Sequence, residues 1–336
     1  MTVSKEINLN AYKENLIKIG QVVSPAKVMA VVKADAYGHG LVPVARAAVE
    51  AGIDFLGVLD IETGLRLRES GITEKCFAWL HSPQSDFGKA VLAGIELSAS
   101  SIEELESIAK APGRAQVHLK LDTGLSRNGC RIENWHALVS RALELKALGE
   151  IDVVAIWTHL SGTSESDDLK AIQIFNQGHE MASSLGFTGY RHAASSPAAF
   201  NLPESRFDLV RIGVSAFGTS PVNGRLASEL SLEIPMTVTA EVLSDDVISI
   251  GFLHGYFSSL SGKARVEIDG RLYKVLKVGP LASKIETGAF RPGDLVKVFG
   301  PEGLLAPTAE ELCNLVGTVT DELFTGLKAN SVTYTA

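Results

Sequence analysis

The stretch that decides the fold is KVMAVVKADAYGHGLVPVARAAVEAG, residues 27–52. A run of β-forming apolar residues (27–33) enters a glycine-bounded loop, and a helix-like pattern then closes on Gly52, a strand–loop–helix unit. The unit recurs along the chain. Further strand candidates are DFLGVL (54–59), CFAWL (76–80), GIELSA (94–99), QVHLKLD (116–122), DVVAIWTHL (152–160), YRHAA (190–194) and FDLVRIGV (207–214). Between them lie helix-like stretches such as IETGLRLRESG, SIEELESIAK and WHALVSRALELKALG. Several end in Gly, and two begin after a Ser or Asp placed to cap the first turn. This alternation predicts a (β/α)8 barrel over residues 8–222. A doubly wound open sheet is the rival, disfavoured because no G-x-G-x-x-G follows the first strand. No internal sequence repeat accompanies the repeated supersecondary unit.

After Gly224 the texture changes. PMTVTAEVL, DVISIGFL, KARVEIDG, RLYKVLKVG and DLVKVFG read as strands joined by tight turns, and TAEELCNLVGTV (308–319) as a helix. A mainly β domain is expected over 223–336, with the strand-like residues of 1–7 joining it.

The bulk numbers narrow the classes. With 336 residues, and about 100–200 per domain, two domains are expected. Hydrophobic residues at 46% and charged residues at 21% are enough for a packed core. The net charge is −8 with no basic run, which argues against a nucleic-acid partner. MTVSKEINLN carries no apolar signal core, and no apolar run is long enough to span a bilayer. Cys76, Cys130 and Cys313 are widely spaced and odd in number. They point to a reducing cytoplasm, with neither a disulfide framework nor a cysteine metal site.

The residues able to carry chemistry cluster at the ends of the predicted barrel strands. Lys33 ends the first strand, where a partly desolvated amine loses basicity and can form a Schiff base. Tyr37 follows in a glycine-bounded loop, placed to reach a phosphate. LDTGLSRNG (121–129) sets Arg127 after the fifth strand; a guanidinium there can grip a carboxylate, although such an arginine alone also reads as a solvated loop residue. WTHLSGT (157–163) brings His159 to the end of the sixth strand, as a core histidine or as a ring facing a cofactor. RHAASSPAAF (191–200) and LVRIGVSAFG (209–218) follow the seventh strand and form the eighth. Barrels commonly bind phosphate in these loops, so the Ser195 and Ser196 hydroxyls and the Gly213 and Val214 amides are candidate donors.

KADAYGHG closely resembles the cofactor-lysine signature K-A-[DN]-A-Y-G-H-G of the alanine racemase family. LDTGLSRNG is similar to that family's D-T-G-[ML]-x-R-x-G loop, and THLS to its T-H-[FL]-[AS] strand end. The resemblance covers positions 27 to 218. It implies a pyridoxal 5'-phosphate (PLP) enzyme, with Lys33 holding the cofactor and Arg127 contacting the substrate carboxylate and the cofactor oxygen. It further implies His159 against the ring, Ser196 on the phosphate, a small amino-acid substrate, D-alanine formation and a homodimer. Arg211 then faces the pyridine nitrogen. A permanent cation leaves that nitrogen unprotonated, which weakens the electron sink and favours simple proton removal and return.

The β domain departs from the family. Its S-Y-G-x-T-Y segment, which supplies a second proton-transfer tyrosine, is missing. Phe252 stands where a tyrosine is usual, Ser283 and Lys284 stand for Met and Asp, and Asp321 lies where a phosphate-contacting tyrosine is expected. Of the 6 tyrosines, Tyr256 is the one in the β domain near an expected active-site strand end, and His254 is the other proton-active group there. Three functions remain open on the sequence: an amino-acid racemase, a one-base PLP enzyme of the same fold, and a PLP-binding homologue without turnover.

Overall fold

The computed structural model describes residues 2–82, 84–222 and 224–336. By contact, the chain forms two compact units. One holds the described residues of 1–18 with 34–47 and 214–336; the other holds 19–33 and 48–213. Beside the 222/223 boundary read from the sequence, this division groups the loop after Lys33 and the segment 214–222 with the β sheet.

Strand β1 is Val3–Asn8. The second unit carries the barrel strands β2 (Lys27–Val31), β3 (Phe55–Val58), β4 (Cys76–Ala78), β5 (Ile95–Ala99), β6 (Ala115–Lys120), β7 (Ile151–Trp157), β8 (Tyr190–His192) and β9 (Leu209–Ile212). All pair in parallel, in the order β8-β7-β6-β5-β4-β3-β2-β9. The ring closes between β8 and β9, where Asp208 N donates to Arg191 O (3.1 Å) and Arg211 N to Ala194 O (3.0 Å). Each strand expected from the sequence is present, and the barrel is the fold. Short connections end in caps: Asp60 accepts from Thr63 N (2.7 Å), and Ser101 from Glu104 N (3.2 Å). Ser164 does the same for Asp167 N (3.1 Å), opening the helix Glu165–Ser184.

Inward-facing side chains decide what the barrel can hold. Met29, Phe55, Phe77, Trp157 and Leu209 form a buried apolar plug, with Trp79 and Tyr190 packed on it. Side chains two residues apart on a strand share a face. One step nearer the carboxyl ends the inward positions become polar: Arg211 follows Leu209, and His192 follows Tyr190. The chemistry therefore rests on an apolar floor.

In the first unit, β1 pairs antiparallel with β10 (Met236–Ser244) and parallel with β16 (Ser331–Thr335). The sheet is completed by β11 (Val247–Ile248), β12 (Arg265–Ile268), β13 (Arg271–Val278), β14 (Ser283–Ile285) and β15 (Leu295–Phe299). Asp269 and Gly270, both at positive φ (47° and 71°), make the tight hairpin turn between β12 and β13. Two features differ from the sequence reading. The helix expected at 308–319 stops at Val316, because Gly317 takes a left-handed conformation, and a second helix, Thr320–Gly326, follows. The terminal strand β16 was not anticipated; its five residues are all exposed, and its partner β1 supplies the pairing. Among the described residues, no helix is long and apolar enough to cross a membrane.

Phe77 is fully buried and stacks on His118 at 4.1 Å between centroids. Truncation to alanine should cost about 3–5 kcal/mol of stability, measured as a lowered urea midpoint. A midpoint within error of wild type would show that the plug is not what supports the barrel.

Candidate active site

Lys33 emerges from β2 directly after Val32, whose N–H is tied to Gly57 O (2.8 Å). The next four residues, Ala34, Asp35, Ala36 and Tyr37, all take left-handed helical angles (φ 52–54°, ψ 40–52°). Such a conformation costs L-residues roughly 1–2 kcal/mol each, so the turn must be held from outside. His39 does part of this. It is fully buried, and its Nδ1 lies 3.1 Å from Ala36 O and 3.0 Å from Tyr37 O. Carbonyls only accept, so Nδ1 carries the proton; burial pulls the ring's pKa down to about 3 and keeps it neutral. Lys5 Nζ donates to Gly38 O (3.1 Å) and Leu327 O (2.7 Å), and Asp35 accepts from Leu41 N (3.0 Å). Gly38 has φ 75°, and a Cβ there would strike the Phe324 carbonyl. Asp35, Gly38 and His39 of the signature are therefore the turn's own fastenings.

Tyr37 is 4% exposed and packs against Phe217 at 5.3 Å. Burial, and then the Asp321 carboxylate, push its pKa up, so the phenol remains a protonated donor. That charge acting on Tyr37 is the structural consequence of Asp321.

At the carboxyl ends of the barrel strands the geometry centres on Arg211, which is buried. Its Nη1 donates to His192 Nδ1 (3.0 Å), and its Nη2 to Thr158 O (2.9 Å), Ala193 O (2.9 Å) and His159 Nδ1 (3.0 Å). Burial and the neighbouring Arg127 lower the guanidinium to about 9, still a cation at neutral pH. His159 accepts on Nδ1, so its proton sits on Nε2. Its pKa falls to about 3, through burial and then through the charges of Arg211, Arg127, Lys120 and Lys33. Arg127, on its exposed loop, therefore acts on the same neighbourhood as Lys33 and Arg211. A cavity of about 430 Å³ opens beside His159, lined also by Thr123, Leu125, Thr163 and Lys170.

Ser196 is buried, and its hydroxyl accepts from Gly213 N (3.1 Å), while Ser195 bridges to Arg211 through the backbone. Val214 opens a 3-10 turn, Val214–Phe217.

Two groups escaped the sequence reading. The Ser215 hydroxyl is buried and has no hydrogen-bond partner among the described residues; its position just after Gly213 and Val214 was the available signal. Lys120 is 2% exposed, lies 4.3 Å above the Trp157 ring and donates to Asn128. Burial, Arg211 and Arg127 bring its pKa down to about 7. In sequence it is an ordinary strand lysine, and only the barrel interior makes it unusual.

The β-domain candidates fare differently. Tyr256 is fully buried, its hydroxyl has no partner among the described residues, and burial raises its pKa. It packs as a core tyrosine rather than as an exposed loop residue. His254 is half-buried and accepts from Gly251 N on Nδ1 (3.2 Å), beside exposed Phe252 and Leu253. Ser283 donates to Ile250 O (2.5 Å), and Lys284 pairs with Asp246 (3.0 Å).

Within the barrel unit the donor set fits a pyridoxal phosphate: an amine at Lys33, a cation at Arg211, hydroxyls at Ser195 and Ser196 and the amide of Gly213. Among the described residues, none of the groups bonded to Arg211 is a carboxylate.

Replacing His39 with alanine leaves the Ala36 and Tyr37 carbonyls without their buried donor. Stability should fall by about 2–3 kcal/mol, read by urea denaturation; an unchanged midpoint would show that the turn holds itself. The buried histidines also set an acid limit. His39 and His159 stay neutral to about 3 and His81 to about 4, against 6.5 when unfolded. The unfolded chain therefore takes up more protons below pH 6.5. Stability is complete above that value and is lost as the pH falls, by about 1.4 kcal/mol per unit for each group. Urea midpoints at pH 7.5 and 5 should differ accordingly.

A family model described as alanine racemase, N-terminal domain, matches residues 7–221. The alanine racemase of Salinispora arenicola is 35% identical, with 95% of this chain and 94% of the relative covered. That of Salinispora tropica is 33% identical, with 95% and 94% covered. Among solved structures, the alanine racemase of D-cycloserine-producing Streptomyces lavendulae superposes with a TM-score of 0.94 at 28% identity, covering 100% of this chain and 97% of that one. The Salinispora arenicola alignment runs over 363 positions, more than the whole 336-residue chain, so that relative carries segments this chain lacks.

Proposed function

The chain belongs to the alanine racemase family, and we propose that it interconverts L- and D-alanine with pyridoxal 5'-phosphate held through the Lys33 amine. When bound, that cofactor withdraws electrons from an attached amino acid and acidifies its α-hydrogen. Lys33 would take or give the α-proton on one face of the α-carbon, and interconversion needs a second group to give or take it on the opposite face. The Ser195 and Ser196 hydroxyls and the Gly213 and Val214 amides would hold the phosphate, with the Tyr37 phenol as a further donor. Arg127 would take the substrate carboxylate. His159, neutral at working pH, would supply an uncharged ring rather than an acid.

Arg211 carries the reading. A cation that can only donate stands at the end of β9, with its neighbours arranged to accept from it. Opposite a ring nitrogen it leaves no proton to share, a restrained electron sink suited to moving one proton off and back. A carboxylate there would favour deeper electron withdrawal and side reactions. The division into a cofactor-holding barrel (8–222) and a β domain, the cytoplasmic location and the homodimer belong to the same proposal. The full burial of Tyr256 speaks against it as the second proton-transfer group.

Two measurements test this. Borohydride reduction of the purified protein followed by peptide mapping should place a pyridoxyl group on Lys33, and nowhere in Lys33→Ala. A D-amino-acid-oxidase-coupled assay with L-alanine should show turnover that drops at least about 10²–10⁴-fold in the same variant. A label on another lysine would refute the assignment of Lys33, and no interconversion of alanine would refute the reaction.

A further inference from the structure

Behind Arg211, on the side away from His159, the barrel interior holds a row of buried polar groups that the proposed reaction does not use. His192 on β8 and His118 on β6 are fully buried, and Glu96 on β5 is 4% exposed. Arg211 Nη1 is 3.0 Å from His192 Nδ1, His192 Nε2 is 2.9 Å from His118 Nδ1, and His118 Nε2 is 2.6 Å from Glu96 Oε2. The rings are held flat and dry. Phe77 stacks on His118 (4.1 Å, 19°) and Trp157 on His192 (5.6 Å, 6°).

Only one arrangement of protons satisfies this row. Arg211 can only donate, so His192 Nδ1 must be bare and its proton must lie on Nε2. That proton points at His118 Nδ1, which must then be bare as well, and His118 carries its proton on Nε2, facing the Glu96 carboxylate. Protonating either ring would set a donor against a donor. The row therefore stays neutral in the middle, with one positive end at Arg211 and one negative end at Glu96.

We propose that Glu96 is a positioning residue for Arg211, acting through His118 and His192 to fix both ring tautomers and to anchor the guanidinium as a cation. Arg127 acts on the guanidinium itself, and Lys120 and Lys33 act on the adjoining His159, while the carboxylates of Asp122 and Glu104 act on Lys120. Glu96 is the carboxylate at the far end of the hydrogen-bonded row. Each donated bond makes the next ring a better acceptor, so the carboxylate strengthens the hold of His192 on Arg211 without touching it. The functional consequence rests on the reading that Arg211 faces the cofactor; the tautomers do not.

Glu96→Gln is the informative variant. The amide oxygen can still accept from His118, so the shape survives while the charge is lost. The amide can also turn and donate, which releases the tautomer. Long-range ¹H–¹⁵N spectra of the full-length protein, with resonances assigned through His118→Gln and His192→Gln, should show both rings protonated on Nε2. In Glu96→Gln, His118 should lose that single pattern. With alanine as substrate, the variant's kcat should fall about tenfold while KM stays within about twofold, and Glu96→Asp should recover part of the loss. A proton on Nδ1 of either ring in the wild type would overturn the relay, as would a Glu96→Gln kcat within twofold of wild type. If the wild type does not racemise alanine but shows the Nε2 pattern, the functional reading fails and the relay stands.

Discussion

A buried guanidinium that can only donate is the constraint around which the site is arranged. Arg211 enters the barrel two residues beyond Leu209, so the strand that lays the apolar floor also delivers the charge. Burying a cation is costly unless every donor is met. The neighbours meet it from separate strands: carbonyls at Thr158 and Ala193, and bare ring nitrogens at His159 and His192. Because the arginine has no acceptor to offer, it dictates where the protons on those histidines lie. A fixed row back to Glu96 follows from the same fact, while the low pKa values of His159 and His192 come first from burial and then from the Arg211 charge.

The second constraint is conformational. Four consecutive non-glycine residues after Lys33 run left-handed. Strain of this kind persists where the surroundings over-determine it. Here Lys5, Asp35 and His39 bind the turn's backbone groups, and Gly38 lets the chain pass Phe324. A signature that looks like a string of catalytic candidates is, apart from Lys33 and Tyr37, the hardware of an unfavourable turn. The amine ends a strand rooted in the barrel, while Tyr37 belongs to a turn fastened to its own unit.

Legibility differed between the two halves for a physical reason. Parallel strands covered on both faces appear as apolar runs, and each barrel run was readable, together with its Ser or Asp caps. In the β domain the strands were readable but the fates of single side chains were not. Tyr256 sits in a glycine-flanked segment that looks exposed, yet it is fully buried. Gly317 split an apparently continuous helix because its φ is 72°, and β16 exists only because β1 offers it an edge. Such outcomes depend on long-range contacts that local pattern does not carry.

The sequence by itself determined the barrel, the place of Lys33 at a strand end and the concentration of donors at the carboxyl ends of the strands, because periodicity and strand order are local properties of the chain. Only the tertiary structure decided the proton positions on His159, His192 and His118, the low basicity of Lys120, and the link from Glu96 to Arg211. Those groups lie far apart in sequence, from Glu96 to Arg211. Their chemistry comes from being closed together in a dry interior, where each donor must find an acceptor on another strand.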